Sequence, residues 1–188
     1  MLTDNKLEKI RNSIVNNDKI DSSDFNNILK LPKKSREKIN CYAFALGIMY
    51  PKFGLYVPGF TTKKEYIDVS REDFISLICE DLDNLEIKYR IFGINEKIDL
   101  KENEYLIQAM YIPKTKYSVE DFHFLRKSKA GFWYGKDGYL NRSPCVEDIH
   151  ILNYEYEYGK SELVKVFSDN CNGRQYIRVA YFAIEEKT

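Results

Sequence analysis

Cysteine and histidine are scarce in this chain. Its 188 residues hold 4 Cys and 2 His. The cysteines stand at positions 41, 79, 145 and 171 with no Cys-x-x-Cys pair, and His123 and His150 lie far apart. Ligands so scattered lack the spacing of a zinc site, so no metal and no cofactor is expected. A chain of this length can bury a core without staples, and its cysteines are too few for a disulfide framework. Free thiols in a reducing compartment are the expectation.

Charge of one sign is also missing in excess. The 29 basic and 29 acidic residues give a net charge of +0. Bulk nucleic-acid binding needs a basic surface, so no nucleic-acid partner is expected. Long apolar runs are absent as well. The chain opens Met1-Leu2-Thr3-Asp4-Asn5-Lys6, without the apolar core of a secretory signal, and no later run approaches a membrane span. The expectation is a cytoplasmic protein, or one exported without a classical signal peptide, with no membrane partner. Repeats, heptads and low-complexity segments are absent too.

What is present reads as one compact domain, with 44% hydrophobic and 31% charged residues. Leu7, Ile10, Ile14 and Val15 fall at helical spacing. Asp21-Ser22-Ser23-Asp24 offers a second helix start, with Phe25, Ile28 and Leu29 as its stripe. Residues 1–36 thus read as an N-terminal helical arm, and residues 37–188 as the main domain. A short apolar helix covers 41–50, and Pro58-Gly59 marks a turn. Ser70-Arg71-Glu72-Asp73 matches a capping box before a helix that buries Phe74, Ile75, Leu77, Ile78 and Leu82, with Cys79 as a small core neighbour. Strand signals come at 87–92, 104–112, 121–127, 132–136 and 176–184. Residues 162–167 are ambiguous between helix and strand. Helices first and an antiparallel meander second make the fold class α+β, with helices packed on an antiparallel β-sheet.

Two residues carry the candidate chemistry. Cys41 opens the run Asn40-Cys41-Tyr42-Ala43-Phe44-Ala45, where free backbone N–H groups favour a thiolate. His123 sits in Asp121-Phe122-His123-Phe124-Leu125-Arg126. The strand period puts Asp121, His123 and Leu125 on one face and Phe122, Phe124 and Arg126 on the other. A four-residue loop at 128–131 would set His123 opposite Lys136, and a one-residue slip would set Gly135 there. Taken singly, Cys41 reads as a small buried residue and His123 as a satisfied core histidine. Taken together, they are a thiol nucleophile and its proton acceptor.

The run around Cys41 resembles the nucleophile helix of papain-like enzymes of the NlpC type, which include cell-wall peptidases and amidases. The stretch from Asp121 to Arg126 and on through Gly131-Phe132-Trp133-Tyr134-Gly135-Lys136 resembles the His-bearing hairpin of the same group. The resemblance implies a papain-like, NlpC-like core and a Cys41–His123 dyad. One position departs from it. Relatives carry a polar third residue, often histidine, two places after the tryptophan, and here that place is Gly135. Three arrangements remain open: Asp137 or Asn141 orients His123, a backbone carbonyl or water does so, or the site only binds.

An active dyad would work through a thioester. His123 takes the Cys41 proton, the thiolate attacks a carbonyl carbon, and the Cys41 N–H with Asn40 holds the oxyanion. Tyr42 and Trp133 are the candidate substrate contacts. The favoured function is a cysteine-dependent hydrolase or acyl transferase acting on a peptide or amide bond, such as a peptide, a peptidoglycan stem peptide or a protein substrate. The rival is a catalytically inactive binding module of the same fold, supported by Gly135.

Overall fold

A computed structural model of the chain describes residues 2–16, 34, 37–49, 56–116, 120–136, 145–146, 163–166 and 174–187. Three helices fall among them: α1 (Asp4–Arg11), α2 (Cys41–Ala45) and α3 (Arg71–Asn84). Seven strands come after the helices: β1 (Tyr89–Phe92), β2 (Glu104–Ile112), β3 (Asp121–Lys127), β4 (Trp133–Gly135), β5 (Cys145–Val146), β6 (Leu163–Val166) and β7 (Arg174–Glu185). They form one antiparallel sheet in the order β1-β7-β2-β3-β4-β5, with β6 pairing the start of β7 on the edge where β1 pairs its end. The α+β class read from the sequence is the class observed.

Local chemistry sets the helix ends. Asn40 caps α2 by accepting the Ala43 N–H at 3.0 Å. Gly47 ends it at φ 71°, with Gly47 N–H on the Phe44 carbonyl at 3.0 Å and Ile48 N–H on the Ala43 carbonyl at 2.8 Å. That is a Schellman closure, and it holds α2 to five residues where the sequence suggested ten. A side chain at 47 would also meet the Val15 carbonyl oxygen at 2.6 Å. The Ser70 hydroxyl caps α3 on the Asp73 N–H at 3.0 Å and donates back to the Asp73 carboxylate at 2.8 Å. The Asp73 side chain therefore takes the hydroxyl rather than the cap's own N–H.

The helices cover one face of the sheet. Leu7 and Ile10 of α1, Tyr42 and Phe44 of α2, and Phe74, Ile78 and Leu82 of α3 share one core with Ile107, Ala109, Phe122, Phe124, Phe182 and Ile184. So α1 is part of the main core, where the sequence suggested a flanking arm. Ile14 bridges to Ile48, and the Val15 N–H reaches the Gly47 carbonyl at 3.0 Å. The suggested second helix at 21–29 lies outside the described residues.

The other face carries a second cluster of Leu106, Met110, Leu125, Trp133, Tyr176 and Tyr181. A register shift at Ala109/Met110 joins the halves of β2 and β7, and leaves Val179 as the extra residue. Arg71 at the start of α3 donates to the Val179 carbonyl at 2.9 Å. The β3–β4 hairpin turns through Ser128–Phe132, with Arg126 facing Tyr134 and Lys127 facing Trp133. The sequence placed Phe132 in the strand. Its N–H instead closes the loop on the Ser128 hydroxyl at 3.0 Å, which moves the register by one place.

Candidate functional site

Cys41 lies where expected, at the first position of α2 against β3. It is 5% exposed, and its thiol points at the Phe122 carbonyl oxygen, 4.0 Å away. That is the reach of a weak S–H donor. On β3 itself, Phe122 and Phe124 turn toward the helices. Phe124 meets the Tyr42 ring in a tilted contact at 4.6 Å and stacks at 6.2 Å on Phe74, and Phe122 meets Tyr66 at 5.0 Å. Strand alternation then turns His123 the other way.

The cross-strand pairs agree. His123 sits opposite Met110, and Met110 opposite Arg178, on the second face. The His123 ring lies 5.7 Å from the Tyr176 ring, and the Tyr176 hydroxyl donates to Asp121 at 2.9 Å. Arg178 donates to the Tyr181 hydroxyl at 3.2 Å on the same face. His123 is 4% exposed, within a buried polar set that includes Gln108 and Arg178. The sheet separates sulfur from imidazole, and the dyad expected from the sequence is not assembled in this arrangement. The grouping of Asp121, His123 and Leu125 on one face was read correctly. The face turned to α2 is the one bearing Phe122, Phe124 and Arg126.

The other expected residues divide in the same way. The Asn40 carboxamide caps α2 and donates to the Tyr56 carbonyl at 2.6 Å, so it anchors the 56–62 loop rather than standing open for an oxyanion. Tyr42 is fully buried, with its hydroxyl on Asp81 at 3.0 Å, and offers no substrate contact. Trp133 packs on the second face, 6.3 Å from the Tyr181 ring, across the sheet from Cys41. Gly135 ends β4 opposite Cys145. Asp137 and Asn141 lie outside the described residues. Among the described residues, no group of three or more His, Cys, Asp or Glu could hold a metal ion, and no helix is long and apolar enough to cross a membrane.

The chemistry beside Cys41 centres on a residue that the sequence reading passed over. Asp81 of α3 is buried and accepts from Gly59 N–H at 2.7 Å, Thr61 N–H at 2.9 Å, the Thr61 hydroxyl at 2.6 Å and the Tyr42 hydroxyl at 3.0 Å. It ties α2, α3 and the 56–62 loop together. Burial pushes its carboxyl up to about 6, and these hydrogen bonds offset only part of that rise. A signal was present in the sequence: Asp81 falls on the helical stripe of Phe74, Ile78 and Leu85, where a lone acid needs partners. Arg126 is the matching case on β3. Its guanidinium stacks 3.6 Å over the Tyr105 ring and reaches the Ala45 carbonyl at 3.4 Å, at the negative end of α2.

A cleft of about 530 Å³ opens at the far end of the same sheet face, between α1, the end of α3 and the ends of β2 and β7. Tyr105 and Glu186 line it together with Asp4, Glu8 and Arg11 of α1. No family model matches the chain, and no curated protein or solved structure matches it.

Proposed function

We propose that this chain is a binding module that keeps the NlpC-type plan, a Cys-bearing helix laid on a His-bearing antiparallel sheet, without its thiol chemistry. The observation behind this reading is the turn of β3. Phe122 and Phe124 occupy the face toward α2, so His123 turns to Tyr176 and Met110 while the Cys41 thiol turns to the Phe122 carbonyl. Three further features fit. The Cys41 thiol is spent on a backbone carbonyl, the Asn40 amide is spent on Tyr56, and Gly135 stands where the resembled enzymes carry a polar residue. A peptide or protein segment is the partner class the resemblance suggests.

Alkylation by iodoacetamide tests the reading. Near pH 6–7 Cys41 should react no faster than Cys79, and His123→Ala should leave the Cys41 rate unchanged. A Cys41 rate far above that of Cys79, lost in His123→Ala, would restore the hydrolase or acyl-transferase reading.

A further inference from the structure

The cleft at the end of the sheet carries more carboxylates than cations. Its lining holds five carboxylates, those of Asp4, Glu8, Glu86, Glu185 and Glu186, against three cations. All three cations are engaged. Arg11 pairs with Glu86 at 3.0 Å and donates to the Asn84 carbonyl at 2.6 Å. Lys88 pairs with Glu185 at 3.4 Å, and Lys187 Nζ donates to the Arg11 carbonyl at 2.8 Å. Asp4 and Glu8 stand one turn apart on the exposed side of α1, with no ion pair among the described residues.

Acidic groups on a surface are ordinary, and solvation accounts for Asp4 and Glu8 by themselves. The wall of the cleft is different. Tyr105 is 3% exposed and lines the cleft, and its hydroxyl makes no hydrogen bond among the described residues. Arg126 covers one face of its ring, and burial raises its pKa, so the hydroxyl keeps its proton and its oxygen lone pairs. Glu186 gives one carboxylate oxygen to Lys129 at 3.3 Å, and its other oxygen is buried with no donor among the described residues. A carboxylate oxygen without a donor among the described residues and a tyrosine hydroxyl able to accept as well as donate thus meet in a cleft whose lining carries more carboxylates than cations. Arg11 Nε–H, buried with no acceptor among the described residues, adds one donor suited to a carbonyl.

We infer that the cleft binds a primary ammonium group carried on a flexible alkyl chain. The ammonium's three N–H donors suit the Tyr105 oxygen, the Glu186 carboxylate and water, with Asp4 and Glu8 attracting the charge from the mouth. The volume lies within the range of small-molecule sites. A free diamine and a lysine side chain of a partner peptide present the same chemistry. This inference rests on reading the chain as a binder. Its test leaves Cys41 untouched, so each can fail without the other.

Titration with 1,5-diaminopentane, monitored by backbone amide shifts, gives the test. Saturable shifts should be confined to Tyr105, Ile184–Lys187 and the facing side of α1, and 1-pentanol should produce none. Tyr105→Phe, which removes only the hydroxyl, should weaken binding about tenfold. The exposed pair Asp4→Asn with Glu8→Gln should weaken it about threefold and flatten its salt dependence. If Tyr105→Phe unfolds, the exposed pair decides alone. A parallel titration with Nα-acetyl-lysine-N-methylamide separates the sources: tighter binding of the capped lysine assigns a peptide partner, and tighter binding of the diamine assigns a free amine. Absence of saturable shifts with both probes, equal shifts with 1-pentanol, or full affinity in the folded variants would overturn the inference.

Discussion

The two faces of the sheet are buried alike but built differently. The helix-covered face is a continuous apolar core locked at one point by a carboxylate, with Asp81 holding Tyr42, Gly59 and Thr61. The second face mixes Leu106, Met110, Leu125 and Trp133 with Gln108, His123 and Arg178. The helix-covered face carries the cysteine and the second face the histidine. A strand buried on one side announces its inner face by alternating apolar and polar residues. A strand buried on both sides, as β3 is along Phe122–Arg126, does not.

The carboxylate lock is the stronger handle on this difference. Asp81→Ala strands four donors, three on the 56–62 loop and the Tyr42 hydroxyl on α2, and should cost about 3–5 kcal/mol, read as a loss in denaturant midpoint. A loss under about 1 kcal/mol would mean that the carboxylate does not hold that face together. Leu125→Ala tests the second face. A packed cluster should lose about 2–4 kcal/mol to the cavity, and a near-neutral result would show that face to be loosely covered.

The helix-covered face should also respond to pH. The folded chain holds the Asp81 proton up to about pH 6, whereas the ordinary value is 3.8. The folded state therefore binds the proton over a range in which the unfolded state has released it. This contribution is complete below about pH 4, is lost as the pH rises to about 6, and changes no further above that. It amounts to at most about 3 kcal/mol. Asp81→Asn should remove this fall, so the stability difference between wild type and variant should change between pH 4 and 6 and be constant above. A parallel pair of curves would contradict the assignment.

Much of the frame was legible in the sequence. Glu104–Ile112 and Asp121–Lys127 are strands with the bounds that their β-branched and aromatic residues suggested, and Ser70 starts α3 as its cap. The misses have particular causes. Gly47 ended α2 early through a left-handed closure that periodicity does not register. Phe132 looked like a strand residue and serves the loop. The site was the least legible part. The period of two grouped the β3 residues correctly, but which group meets α2 depends on packing between elements distant in sequence, and the two Phe side chains won that face. Asp81 was visible as an acid in an apolar stripe, yet its partners Gly59 and Thr61 lie some twenty residues away and nothing local names them.

The side on which His123 stands can be measured directly by proton NMR. Nuclear Overhauser contacts from the His123 ring should reach the Tyr176 ring and the Met110 methyl group and should be missing to the Cys41 β-protons. A clear contact between the His123 ring and the Cys41 β-protons would place imidazole and sulfur on one face and contradict the account.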